Sequence, residues 1–168
     1  MKELVINDST FNHGDFNVKH MRNLQTVTID VGELNVIESG FISLEQVIRT
    51  HTVNMNKPKF KFDEIVRFEG ANYEIKSDEF DDDTIVKYLK MWKNGELSEN
   101  LETVAVLYEN PRDVDFERVL DELEVFDFQT NEEGCEFLIY TTRHEKKSKF
   151  SVLSSTTYFE IIYVTEEE

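Results

Sequence analysis

Hydrophobic and polar positions change their rhythm several times along the chain. In "NLQTVTIDVGELNVI" (23–37) the apolar residues Val27, Ile29 and Val31 alternate with polar ones, which predicts a half-buried strand with a bend at Gly32. The β-branched stretch "GFISLEQVIRTHTV" (40–53) predicts another long strand. "KPKFKFDEIVRF" and "YEIK", joined by "EGAN" (69–72), predict a hairpin with Gly70 and Asn72 in its turn.

The period then lengthens. Ile85, Tyr88, Leu89 and Trp92 share one helical face, which predicts a helix over about 84–94, capped by Asp82 or Asp83 and ended by Gly95. "ETVAVLYE" (102–109) predicts a strand. Phe116, Val119, Leu120 and Leu123 form a second stripe, predicting a helix over about 111–124 with Asn110 as cap and Pro111 in its first turn. "VFDF", "CEFLIYTT" and "TTYFEIIYVT" complete the strands, with a turn at "TNEEG" and a loop or hairpin tip at "RHEKKSK" (143–149). The order predicts a single α+β domain over 1–168, a mostly antiparallel sheet with two amphipathic helices.

Charge divides the chain where periodicity does not. Residues 1–62 hold seven acids and seven bases, so this β-rich part is neutral. Residues 63–140 hold 23 acids and seven bases, while 141–168, the C-terminal strands, hold five and four. Nearly all of the net −17 therefore lies in the middle, which excludes that surface as a binder of nucleic acid or anionic membrane. No apolar run approaches the ~20 residues of a membrane span. The start "MKELVIND" lacks an apolar signal core, and the single Cys135 allows no internal disulfide. A cytoplasmic protein is expected. Phe, Tyr, Met, Ile, Asn and Lys number 58 against 16 for Gly, Ala, Arg and Pro, a bias of AT-rich genes that points to low-GC bacteria or their phages and mobile elements. If the chain is phage-encoded, its place is the host cytoplasm.

The densest acidic run, "DEFDDD" (78–83), opens the first predicted helix, where carboxylates cap and complement the dipole. Capping does not explain the acids of the second helix. Asp113, Glu117 and Asp121 fall at successive i,i+4 positions, and Glu122 and Glu124 near the wrong end of the dipole. Asp127, Glu132, Glu133 and Glu136 follow, and no base occurs from 119 to 136. A surface kept anionic at a cost to its own helix suits a basic partner. The reading is a non-enzymatic acidic inhibitor, a nucleic-acid mimic of anti-defence type, that docks Asp113, Glu117, Asp121, Glu122, Asp127, Glu132 and Glu133 on a nucleic-acid-binding protein or nuclease. Phe80, Tyr108, Phe126 and Phe128 are the candidate apolar anchors.

Two alternatives remain. One is a viral structural or accessory protein acting through apolar or strand-edge contacts. The other is a Mg²⁺-dependent nuclease in which Asp63, Glu74 and Lys76, in D…ExK order across the predicted hairpin, hold metal and water. "DVDFERVLDELE" matches the acidic positions of a calcium loop but carries Arg118 where that loop turns on glycine. His13, His20, His51 and His144 have no metal-ligand spacing, and Cys135 reads as a structural residue starting a strand. No phosphate loop, nucleophile elbow or dinucleotide fingerprint is present, so no cofactor or metal is expected. The basic islands "KPKFK" (57–61) and "RHEKKSK" read as solubilising tips, and leave a homodimer open by charge complementarity.

Overall fold

The computed structural model describes residues 3–6, 24–29, 42–125, 128–130, 134–141, 146–154 and 158–164. Among these residues nine strands form one sheet: β1 (Glu3–Ile6), β2 (Thr26–Ile29), β3 (Thr52–Lys59), β4 (Asn72–Lys76), β5 (Thr103–Leu107), β6 (Phe128–Thr130), β7 (Gly134–Thr141), β8 (Lys146–Ser154) and β9 (Tyr158–Val164). Their order is β1-β2-β3-β4-β5-β9-β8-β7-β6. The first five run parallel, each beside its predecessor. From β5 outward through β9, β8, β7 and β6 every pairing is antiparallel. The mixed α/β content agrees with the sequence reading, but the mostly antiparallel sheet does not: half of it is parallel.

Parallel neighbours need crossovers, and helices supply three of the four, most of the β1–β2 connection lying outside the described residues. Helix α1 (Leu44–Ile48) lies between β2 and β3, α2 (Phe62–Ile65) between β3 and β4, and α3 (Asp82–Lys93) between β4 and β5; α4 (Phe116–Leu123) follows β5. The stretch 40–53 is therefore not one strand. Ser43 accepts the Gln46 N–H at 3.2 Å while the Gln46 side chain accepts the Ser43 N–H at 3.1 Å, a capping box that starts α1 inside a β-branched sequence. The predicted hairpin is not formed either. Phe62 and Ile65 turn inward on α2, whose first N–H groups, those of Lys61 and Phe62, donate to Glu64 and Glu79 carboxylates at 2.8 and 2.6 Å. Gly70 marks a close approach rather than a two-residue turn. A side chain there would run into the Thr50 carbonyl, and the Gly70 N–H donates to the Tyr73 hydroxyl at 2.7 Å.

Alternation places the core on one face of the sheet. Val27, Ile29, Val53, Met55, Tyr73, Ile75, Val104, Val106, Phe159 and Ile161 point inward. There they join one apolar cluster with Val47 and Ile48 of α1, Ile65 of α2, Ile85, Leu89 and Trp92 of α3, and Val119, Leu120 and Leu123 of α4. Aromatic rings tie α3 to β9, with Tyr88 against Phe80 at 5.5 Å, Phe80 in turn against Phe159 at 6.4 Å, and Trp92 against Tyr163 at 6.0 Å. The opposite positions, Thr26, Thr28, Thr52, Asn54, Asn72, Glu74, Thr103 and Ala105, are partly or fully exposed. Parallel sheets are ordinarily covered on both faces. Here the helices among the described residues cover one.

Candidate functional site: an acidic helix beside a balanced one

Helix α3 begins where its charges predict, one residue earlier than the candidate caps. Asp81 is the N-cap and accepts the Thr84 N–H at 2.9 Å. Hydrogen bonds from the Thr84 side chain and N–H hold the Asp81 carboxyl below the usual aspartate range. Lys90 and Lys93 occupy the last turn and Gly95 follows with φ 71°, so the predicted stop is observed.

Nearly every acid of the run 78–83 has an internal task. Asp78 accepts the Glu109 N–H at 3.0 Å and pairs with Lys59 at 2.8 Å. Glu79 serves the start of α2, Asp81 caps α3, and Asp83 pairs with Arg118. This run is structural.

Helix α4 departs from its prediction. It starts at Phe116, not near 111, because Asp115 is the N-cap and accepts the Arg118 N–H at 3.1 Å. Pro111 and Arg112 belong to an extended lead-in, where the Arg112 guanidinium lies over the Tyr108 ring at 5.2 Å and donates to the Asp78 carbonyl at 3.4 Å. Asp113 therefore stands ahead of the helix. The i,i+4 repulsion read from the sequence is reduced to Glu117 and Asp121. Continuous helix from 116 to 123 also excludes the calcium loop.

The two helices pack side by side and run the same way. Arg118 reaches Asp83 near both N-termini, and Lys90 reaches Glu122 at 3.9 Å near both C-termini. Arg118 also holds Glu122 at 3.4 Å. Proximity to Asp83 raises the Arg118 guanidinium pKa further above its ordinary value. Glu122 thus lies between two cations and leaves the predicted site. Asp113, Glu117 and Asp121 are exposed, and no cation pairs with them among the described residues. Asp127, Glu132 and Glu133 lie outside the described residues.

Of the four anchor candidates, Phe80 at 0% and Tyr108 at 7% exposure are core, Phe128 is 41% exposed on the edge strand β6, and Phe126 lies outside the described residues. Sequence reasoning missed the role of Glu124. It forms the C-cap of α4 at φ 58°, a left-handed conformation usually taken by glycine. No signal in the residues marks that cap.

The nuclease trio is not assembled. Asp63 lies on α2, on the core side of the sheet, whereas Glu74 alternates with the inward Tyr73 and Ile75 and faces the other way. Lys76 pairs with Glu109 at 3.6 Å. Among the described residues no three His, Cys, Asp or Glu side chains could hold a metal ion. Of the histidines only His51 is described; it is exposed, with Nδ1 3.1 Å from the Thr52 hydroxyl. Cys135 lies in β7, at the strand start expected for it. The basic island 57–61 is partly consumed internally, with Lys59 bridging Asp78 and Glu109. No helix among the described residues is long and apolar enough to cross a membrane.

Compared with protein-family models, with curated proteins and with solved structures, the chain finds no match.

Proposed function

We propose that the chain is a non-catalytic binding protein that docks the outer flank of α4 on a basic partner, one whose cationic groove ordinarily holds a nucleic-acid backbone. One observation supports this reading above the rest. Arg118 and Lys90 lie beside the acids of α4, yet both are spent on Asp83 and Glu122, leaving Glu117, Asp121 and the preceding Asp113 open to solvent. Glu117 and Asp121 stand about 6 Å apart, the order of the charge spacing along a phosphate backbone. Complementary charge would speed encounter and fix register, while affinity would need an apolar anchor nearby.

The test is binding of a Lys/Arg-rich peptide, read by fluorescence anisotropy at low salt, to wild type and to Asp113→Lys/Glu117→Lys/Asp121→Lys. A control, Glu96→Lys/Glu99→Lys/Glu102→Lys, makes the same charge change elsewhere. The α4 variant should lose at least about tenfold in affinity, and the control less than about threefold. Binding should also fall steeply as salt approaches about 0.5 M. The α4 variant should unfold no more easily than wild type, since reversal relieves a like-charge pair worth about 0.2–0.5 kcal/mol. Equal losses in the two variants would mean that only net charge matters, and the reading would be abandoned.

A further inference from the structure

The sheet face that the described helices leave open carries a second charge arrangement, built by strand register and independent of α4. Glu74 on β4 pairs across to Ala105 on β5, and Ala105 to Glu160 on β9. Two carboxylates therefore flank one methyl group in a single row across three strands. The row continues through Asn54, Thr28 and Val5, and the row beside it runs Thr103, Asn72, Thr52 and Thr26 and ends at Glu3 on the edge strand, so its four positions on β5, β4, β3 and β2 are neutral. Neither Glu74 nor Glu160 has an ion-pair partner among the described residues, and the nearby Lys76 is held by Glu109 at 3.6 Å. Burial, reinforced by the Glu74 charge, pushes the Glu160 carboxyl above the usual glutamate range. The sheet thus holds two like charges toward one gap with nothing described between them.

The geometry points to a docking surface on this open face, occupied by an extended basic segment of a partner protein, with an arginine side chain lying over Ala105 between Glu74 and Glu160. Two strand spacings separate the carboxylate-bearing residues by about 10 Å, which admits a planar guanidinium with a carboxylate on each side at ordinary charge-assisted hydrogen-bond distances. Ala105 supplies a low floor where a larger residue would fill the gap. The flanking threonines and asparagines offer neutral donors and acceptors to the segment's backbone. Arginine suits the site better than lysine, because its fork can serve both carboxylates from one plane.

The experiment titrates the protein with the blocked peptide acetyl-Thr-Arg-Thr-Arg-Thr-amide and with its citrulline counterpart, which keeps shape and loses charge. It is read by NMR at the Glu74 and Glu160 carboxyl carbons and the Ala105 amide. The arginine peptide should shift all three and lower the Glu160 titration midpoint, and the citrulline peptide should bind at least about tenfold more weakly. Glu74→Gln/Glu160→Gln should weaken the arginine peptide by about tenfold. Ala105→Leu, which leaves every charge in place, should block it as well. The α4 reversal variant should bind this peptide within about twofold of wild type, so failure of the α4 reading and failure of this one are separable. Absence of binding, equal binding of the two peptides, or shifts confined to α4 would each overturn the proposal.

Discussion

Helices α3 and α4 lie side by side, both amphipathic, and treat charge in opposite ways. In α3 the acids stand at the first turn and the lysines at the last, as the dipole favours. In α4 no basic residue occupies the last turn, and Glu122 and the C-cap Glu124 stand at its negative end. Even the caps differ. Both helices are followed by a left-handed residue, Gly95 after α3 and Glu124 after α4. Every charge of α3 that reaches a neighbour serves the fold, whereas α4 carries carboxylates for which the fold has no use. Density of acids is thus a poor guide to a surface built for a partner, and the acids that remain after caps and ion pairs are subtracted are a better one.

Three measurements sharpen this contrast, beginning with the largest effect. If the helices differ only on their outer faces, truncating their inner ones should cost alike. Leu89→Ala in α3 and Leu120→Ala in α4 should each lower unfolding free energy by about 2–5 kcal/mol in urea titrations. A negligible loss at Leu120 would mean that α4 is not seated on the core as described.

Removal of the α3 cap comes next. Asp81→Ala should cost about 1 kcal/mol near neutral pH. Because the folded carboxyl titrates below its ordinary value, that stabilisation is present above the unfolded pKa and is lost as pH falls through the folded one. Wild type and variant should therefore converge below about pH 4, and a gap that persists in acid would exclude the capping carboxylate as its source.

The smallest effect concerns the two helix ends. Glu124→Gly should raise stability by about 0.5–1 kcal/mol, and Gly95→Glu should lower it by a similar amount. No gain at position 124 would mean that Glu124 is favourable where it stands, and the contrast between the helices would weaken.

What could be read from the residues was what is decided locally. The stripe Ile85, Tyr88, Leu89 and Trp92 fixed α3, since its periodicity, acidic start, lysines and Gly95 all agree. The capping box of Ser43 and Gln46 was equally local, but β-branched neighbours masked it. Gly70 and Asn72 resembled a hairpin turn because glycine signals both tight turns and close backbone approach, and here the second applied. Pro111 suggested a helix start that Asp115 provides instead. Whether β3 and β4 run parallel depends on the crossover between them and on partners 17 to 20 residues away, which no short window of sequence encodes. The acids Asp113, Glu117 and Asp121 were legible as charges. That Arg118 can pair with Glu122 follows from their i,i+4 spacing, but that Lys90 reaches it too does not, because Lys90 comes from another helix.

The position of β9 has a consequence for biosynthesis. Of the described strands the last to leave the ribosome occupies the middle of the sheet, between β5 and β8, and its Phe159 and Ile161 are fully buried. Until residue 164 has emerged, the parallel half ends in a bare β5 and the antiparallel ribbon in a bare β8. Both are unpaired edges of the kind that recruit other chains. The sheet must therefore close late, by a long-range pairing, and a nascent polypeptide stopped before Tyr158 would carry two sticky seams instead of one finished fold.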